Sequence, residues 1–312
     1  MDKFEINSVI LHTGKRMNIF VTFAIFIWDP NPALFDVALP ILNRPILWYG
    51  FLFAVAFFLS TFIFMLLLRR MYRARGTCED PVQARRVTDA LLPYMLLGAI
   101  IGGRILDVLC YQDGAYVWAH PLSILEVWNG GLASHGAAVG MLLSLWLFVA
   151  RNGKKYSLDL LSCLDLLAIP VSLAAVFIRI GNFINQEIVG TLTALPWGVR
   201  FLHAADGSSA DARHPVQLYE ALFYFFLFFF LWRAFWRRSA LQPSGQIVGW
   251  FLVCSFSARF LLEYAKVEQS AWWSIGLFTM GQMLSVPFIC AGVWLLHRLQ
   301  SSSAMVPSSG KK

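Results

Sequence analysis

From Phe223 to Trp232 the chain reads FYFFLFFFLW, a run that offers water almost nothing to bind. On the outside of a soluble fold such a run would aggregate, so it belongs in lipid. It is one of seven stretches apolar and long enough to cross a bilayer, which takes about 20 helical residues at ~1.5 Å each. The spans are expected near 46–68, 90–111, 131–150, 160–181, 217–236, 245–264 and 275–297. The second is the weakest, because Pro93, Arg104 and Asp107 interrupt it. Across 312 residues 58% are hydrophobic and only 14% charged, against about 25% charged in soluble domains. An ordinary soluble enzyme, a disordered chain and a disulfide scaffold are thereby excluded. The expected fold is an all-α integral membrane protein, a bundle of seven transmembrane helices spanning 46–297.

Ahead of it, residues 1–45 are expected to form an amino-terminal extracytoplasmic or interfacial segment. Its apolar stretch Ile19 to Trp28 is too short to span and is expected to lie on the membrane surface, stopped by Asp29-Pro30-Asn31-Pro32. No cleavage signature follows a basic start, so a removable signal peptide is not expected.

The connections set orientation. Arg69, Arg70, Arg73, Arg75, Arg85 and Arg86 lie between spans one and two, three positive residues between three and four, three between five and six, and three after seven. The opposite side carries seven: Lys3, Lys15, Arg16, Arg44, Arg200, Arg213 and Lys266. The positive-inside rule puts the amino terminus outside and the carboxyl terminus, 298–312, in the cytoplasm. The net charge of +7 is thus a topology signal, and no nucleic-acid partner is expected. The five cysteines are dispersed and read as small apolar residues, and nothing has the spacing of a metal or nucleotide motif. No cofactor and no metal are expected.

Arg104, Arg179 and Arg259 remain inside spans, where each costs roughly 2.5–3.5 kcal/mol on insertion scales. With alternating span directions, Tyr49, Arg104, Asp107, Ser134, His135, Arg179, Asn182, Gln217, Tyr219, Glu220, Arg259, Glu263 and Gln282 all fall in the outer third. Asp165 is a deeper exception. A water- or head-group-filled cavity open to the outer leaflet would satisfy such a set. Arg104–Asp107 and Arg259–Glu263 have spacings that place each pair on one helix face. Arg179 has no acid on its own helix and needs a partner from elsewhere; a phosphate suits its guanidinium. Three GxxxG patterns, at Gly98, Gly136 and Gly245, permit close helix approach. The long connection 182–216 is expected to form a small extracytoplasmic cap, and the basic stretch 69–89 a solvated cytoplasmic connection.

The stretch Arg179-Ile-Gly-Asn-Phe-Ile-Asn-Gln-Glu-Ile-Val-Gly190 resembles the signature of bacterial prolipoprotein diacylglyceryl transferases, G-R-x-G/A-N-F-apolar-N-x-E-x-x-G. Further blocks follow in the family's order over roughly 46–290: Trp48-Tyr49-Gly50, Gly102-Gly103-Arg104, Ser134-His135-Gly136, His214-Pro215-Val216-Gln217-Leu218-Tyr219-Glu220, Arg259-Phe260 with Glu263, and Met280-Gly281-Gln282. Ile178 stands where the family usually has Gly, and Asn129 to Ala137 departs from the family's D-G-G-x-S-F-H-G-G.

The resemblance implies transfer of the diacylglyceryl group of phosphatidylglycerol to the lipobox cysteine of a prolipoprotein, in the bacterial cytoplasmic (inner) membrane. It implies a monomer among membrane lipids, with its active site facing the outer leaflet. The chemistry needs a bound phosphate leaving group and a thiolate. Arg179 is the first candidate for the phosphate, then Arg259 and Arg104. His135 is a candidate base. Asn182 and Asn185 suit glycerol hydroxyls or phosphate, and Tyr49 and Tyr219 can donate to phosphate. Glu187 can hold an arginine, accept the thiol proton or order the loop, while Gly190 and Glu263 complete the substrate-binding set. A lipid transporter and an inactive relative are the competing readings. The apolar inner halves of most spans argue against a transport path.

Overall fold

The computed structural model describes residues 4–11, 19–38, 45–76, 81–110, 112, 117, 119–126, 131, 133–237, 244–267 and 278–304. Seven helices are long and apolar enough to cross a membrane: α1 (Trp48–Arg75), α2 (Pro81–Cys110), α3 (Ser134–Tyr156), α4 (Leu160–Ile184), α5 (Val216–Arg237), α6 (Gln246–Leu262) and α7 (Met280–Ala304). Each expected span coincides with one of them. The stretch read as a solvated connection is instead mostly helix, since α1 runs on to Arg75 and α2 begins at Pro81. Its Arg, Gln and Ala are strong helix formers, and proline is favoured at a first helical position. In α5 the lipid run shows as designed by its composition: Phe225, Phe226, Phe229 and Phe230 are all exposed on the protein surface.

Short strands occupy the segments outside the helices: β1 (Phe4–Leu11), β2 (Ile19–Trp28), β3 (Ala33–Ala38), β4 (Pro45–Leu47), β5 (Val199–Phe201) and β6 (Ala212–Arg213). β2 is thus a strand, pairing antiparallel with β1 and parallel with β5, Trp28 opposite Phe201. The sheet order is β1-β2-β5-β6.

The chain divides into two compact units, the division falling within α1 after Ser60 and within α4 before Ala168. The first unit holds 1–60, 168–236 and 246–312. In it the sheet packs Phe201, Val199, Phe26 and Trp28 on Phe183 and Val189. Trp28 stacks on Phe183 with ring centroids 4.6 Å apart and donates its indole N–H to the Phe183 carbonyl at 2.8 Å. α6 and α7 approach through Gly249 and Gly292; a Cβ on Gly292 would come within 2.9 Å of the Gly249 carbonyl oxygen.

The second unit holds 61–167 and 237–245. There α2 and α3 cross backbone to backbone. A Cβ on Gly102 would lie 2.7 Å from Cα of Gly140, and one on Gly98 2.6 Å from the Gly140 carbonyl oxygen. Two of the three GxxxG patterns therefore face each other, as small-residue packing in lipid requires. The deep Asp165 accepts the Gly245 N–H at 2.8 Å, fixing the turn before α6, where Gly245 takes a φ of 111°.

Candidate active site

The first unit gathers nine of the eleven residues given catalytic or substrate-binding roles above: Tyr49, Arg179, Asn182, Asn185, Glu187, Gly190, Tyr219, Arg259 and Glu263. Its centre is the end of α4. Asn182 and Asn185 each give a side-chain N–H to the Glu187 carboxylate, at 2.9 and 3.0 Å on different oxygens. The Glu187 carbonyl accepts the Gln217 side chain at 2.7 Å. Gln186 and Ile188, on either side, both adopt a φ of 55°. For non-glycine residues this left-handed geometry costs roughly 1–2 kcal/mol each, most for a β-branched one. The neighbours over-determine it: Gln186 accepts the His203 N–H on its side chain at 2.8 Å and the Ala205 N–H on its carbonyl at 3.0 Å. The signature loop is thus built to hold one carboxylate in place.

Gly181 and Gly190 are required by close approach. A Cβ on Gly181 would meet the Tyr49 ring at 2.7 Å, and one on Gly190 would collide with the His214 backbone. Beyond Gly190 the chain pairs with the segment after α6: Thr191 donates to the Ala265 carbonyl at 2.9 Å, and Gly190 bridges Lys266. That pairing brings in a residue the sequence reading had counted only as a loop charge. Lys266 donates to Glu220 at 2.7 Å, and Arg179 reaches the other Glu220 oxygen through Nε at 3.0 Å. Glu220 is 4% exposed. The partner that Arg179 needed from elsewhere is therefore a carboxylate of α5. This contact lacks hydrogen-bond geometry, and among the described residues the two terminal amino groups of Arg179 have no acceptor. Burial, with the Arg179 and Arg259 guanidiniums adding to it, holds the Lys266 ammonium below the ordinary lysine value despite Glu220.

Arg259 has no ion-pair partner among the described residues. The pair with Glu263 expected from spacing does not form. α6 ends at Leu262 and tightens into a 3₁₀ turn, Glu263–Ala265, so the i,i+4 relation is lost. Glu263 lies instead against the Cα of Gly281, where any side chain would strike its carboxylate. Gln282 and Thr279 cap each other at the start of α7, and Gln282 ties that end to the Phe260 carbonyl at 3.3 Å. Tyr219 takes the Trp197 indole N–H at 2.9 Å, and its hydroxyl lies 3.2 Å from Nδ1 of His214.

Arg104 and His135 belong to the second unit. Arg104, 7% exposed, donates to the carbonyls of Ser123, Ile124 and Gly131 at 2.5, 2.9 and 3.1 Å and meets Asp107 at 3.4 Å. The expected pair with Asp107 is present, but the larger share of the guanidinium organises the α2–α3 connection. His135 is exposed in the first turn of α3, and no hydrogen-bond partner is found for it among the described residues.

No helical spacing marks Lys266, because α6 ends at Leu262, four residues before it. Glu220 was visible at the start of span five, but its two cations come from remote segments.

Seven helices long and apolar enough to cross a membrane define a multi-pass membrane protein, and its first unit buries a cluster of arginine, lysine and carboxylate. The sequence model of prolipoprotein diacylglyceryl transferase matches residues 36–298, and the chain belongs to that family. It is 41% identical over 269 residues to the phosphatidylglycerol--prolipoprotein diacylglyceryl transferase of Tolumonas auensis, covering 86% of this chain and 95% of that one. The protein of the same name from Porphyromonas gingivalis is 37% identical over 286 residues, covering 88% and 95%. That of Protochlamydia amoebophila is 45% identical over 217 residues, covering 69% and 58%.

Proposed function

We propose that this protein transfers the diacylglyceryl group of phosphatidylglycerol to the lipobox cysteine thiol of prolipoproteins, the first step of lipoprotein maturation. The observation that carries the reading is the Arg179 side chain, 16% exposed, with its two terminal amino groups unclaimed among the described residues. A phosphate oxygen pair matches that fork bidentately. Arg259, likewise without an ion pair among the described residues, supplies a second cation.

The cysteine sulfur forms a bond to the glycerol carbon of the diacylglyceryl group while that carbon's bond to the phosphate oxygen breaks. Glycerol 1-phosphate leaves with the electron pair, and the thiol proton passes to a base. Charge develops on the leaving phosphate, where fixed guanidiniums stabilise it. Both Glu187 oxygens already accept asparagine N–H groups, which favours an orienting role for Glu187. His135 is the proposed acceptor of the thiol proton, imidazole being the commonest general base. Tyr49 backs the loop at Gly181 and Tyr219 backs His214.

The excess of positive charge in the α1–α2, α3–α4 and α5–α6 connections supports an amino terminus outside and a carboxyl terminus inside the bacterial cytoplasmic membrane. The site then faces the outer leaflet, where a two-chain lipid can enter sideways. In this layout 1–45 is extracytoplasmic, 182–216 caps the catalytic helices of 46–297, and 298–312 is a cytoplasmic tail of a monomer.

The test is direct. The purified protein is mixed with phosphatidylglycerol and a lipobox peptide bearing one cysteine, and mass spectrometry follows the diacylglyceryl adduct. An adduct abolished by Arg179→Ala and strongly reduced by His135→Ala is expected. No adduct from folded wild type would overturn the reading.

A further inference from the structure

The Lys266–Glu220–Arg179 array asks why a site meant for a phosphate should hold a buried carboxylate. One glutamate between two cations occupies the position an anionic ligand would take. Glu220 comes from α5, Arg179 from α4, and Lys266 from the segment after α6, so the three charges are brought together only by the fold. The two contacts are unequal. Lys266 makes a hydrogen bond at 2.7 Å to one oxygen, whereas Arg179 meets the other only through Nε, outside hydrogen-bond geometry. The tighter partner of the carboxylate is the lysine.

We infer that Glu220 is an internal stand-in for the lipid phosphate and that Lys266 is the residue that retains it when the lipid arrives. The inference rests on the transferase reading and names what selects the head group. Before the lipid binds, Glu220 is shared between Arg179 and Lys266, which leaves the array one net positive charge. A phosphodiester monoanion takes over Arg179, with Arg259 beside it, while Lys266 keeps Glu220 aside and neutralised. A lipid whose head group adds an ammonium brings a further positive charge among Arg179, Arg259 and Lys266 and is rejected by like-charge repulsion. The site therefore selects a net-anionic phospholipid over a zwitterionic one. Lys266 acts through Glu220 and is a positioning residue.

The experiment measures adduct formation by the full-length protein in vesicles of defined composition, with phosphatidylglycerol varied against a phosphatidylcholine background and phosphatidylethanolamine as competitor. Lys266→Met leaves Glu220 free to close fully on Arg179, so KM for phosphatidylglycerol is expected to rise about tenfold, the worth of one charge-assisted hydrogen bond, with a smaller change in kcat. Lys266→Arg restores KM. Adding Glu220→Gln to Lys266→Met removes the carboxylate that competes with phosphate and recovers most of the loss. In Lys266→Met phosphatidylethanolamine becomes a stronger competitor. A KM unchanged in folded Lys266→Met, or a double variant worse than the single one, would overturn the inference while leaving wild-type adduct formation, and so the transferase reading, intact. Wild type that makes no adduct would remove the transferase reading itself. In that case direct binding of phosphatidylglycerol vesicles by the same variants decides the inference, which fails if the wild type and Lys266→Met bind equally.

Discussion

Replacing Glu187 by glutamine separates holding from proton transfer. The carboxylate accepts two asparagine N–H groups, at 2.9 and 3.0 Å. Hydrogen bonds to a charged group are worth about 1.5–3 kcal/mol each and neutral ones about 1 kcal/mol. A glutamine keeps both contacts if one asparagine amide turns over, so the loss is about 1–4 kcal/mol, or roughly 5- to 900-fold in kcat/KM. Glu187→Ala loses both contacts. The left-handed Gln186 and Ile188 are then less well held, and the loop relaxes. The expected order is wild type above Glu187→Gln above Glu187→Ala in kcat/KM, with amide exchange across 182–191 rising in the same order. Equal loss in the two variants with unchanged exchange would refute the reasoning, since it would mean that the carboxylate itself takes the proton.

Gly140→Ala places a methyl group on the Gly98 backbone and 2.9 Å from Cα of Gly102; overpacking of this kind costs about 1–3 kcal/mol, read as a lower Tm in detergent. Arg104→Gln leaves at least two of three loop carbonyls without their donor and should loosen 120–131 to proteolysis while lowering activity. For pH, the Lys266 ammonium titrates below its ordinary 10.5. KM for phosphatidylglycerol should therefore begin to rise below pH 10.5, and Lys266→Arg, which stays charged, should flatten that limb. The stability effect has the opposite sign. Between the lowered folded value and 10.5 the unfolded chain binds more protons, so wild type gains stability with rising pH relative to Lys266→Met.

The helices were legible because lipid reads composition locally: the apolar run of α1 up to Leu68 and that of α5 up to Trp232 each declare themselves. The strand Ile19–Trp28 was not, although it pairs with nearby β1 over eight residues as well as with remote β5 over three. An isolated apolar stretch does not reveal whether it will meet lipid or another strand. The site divides the same way. Arg179, Asn182, Asn185 and Glu187 sit within one turn-and-loop and were visible together. Lys266 depends on pairing between the stretch after Val189 and the end of α6, a contact no spacing rule anticipates. The pair Arg259–Glu263 failed where spacing was trusted across a helix end.

The α2–α3 crossing has a consequence for biosynthesis. α2 is a poor insertion substrate by itself, because it carries Arg104 and Asp107. Yet the acceptors Ser123, Ile124 and Gly131 and the carboxylate of Asp107 all lie within the next 27 residues after Arg104, and the glycines that α2 packs on, Gly136 and Gly140, follow directly. A nascent chain needs only α2, its connection and α3 to have emerged before these contacts of the arginine can form and the backbones can close. The two helices can enter the bilayer as a prefabricated hairpin, with the costly charge already held by its own connection.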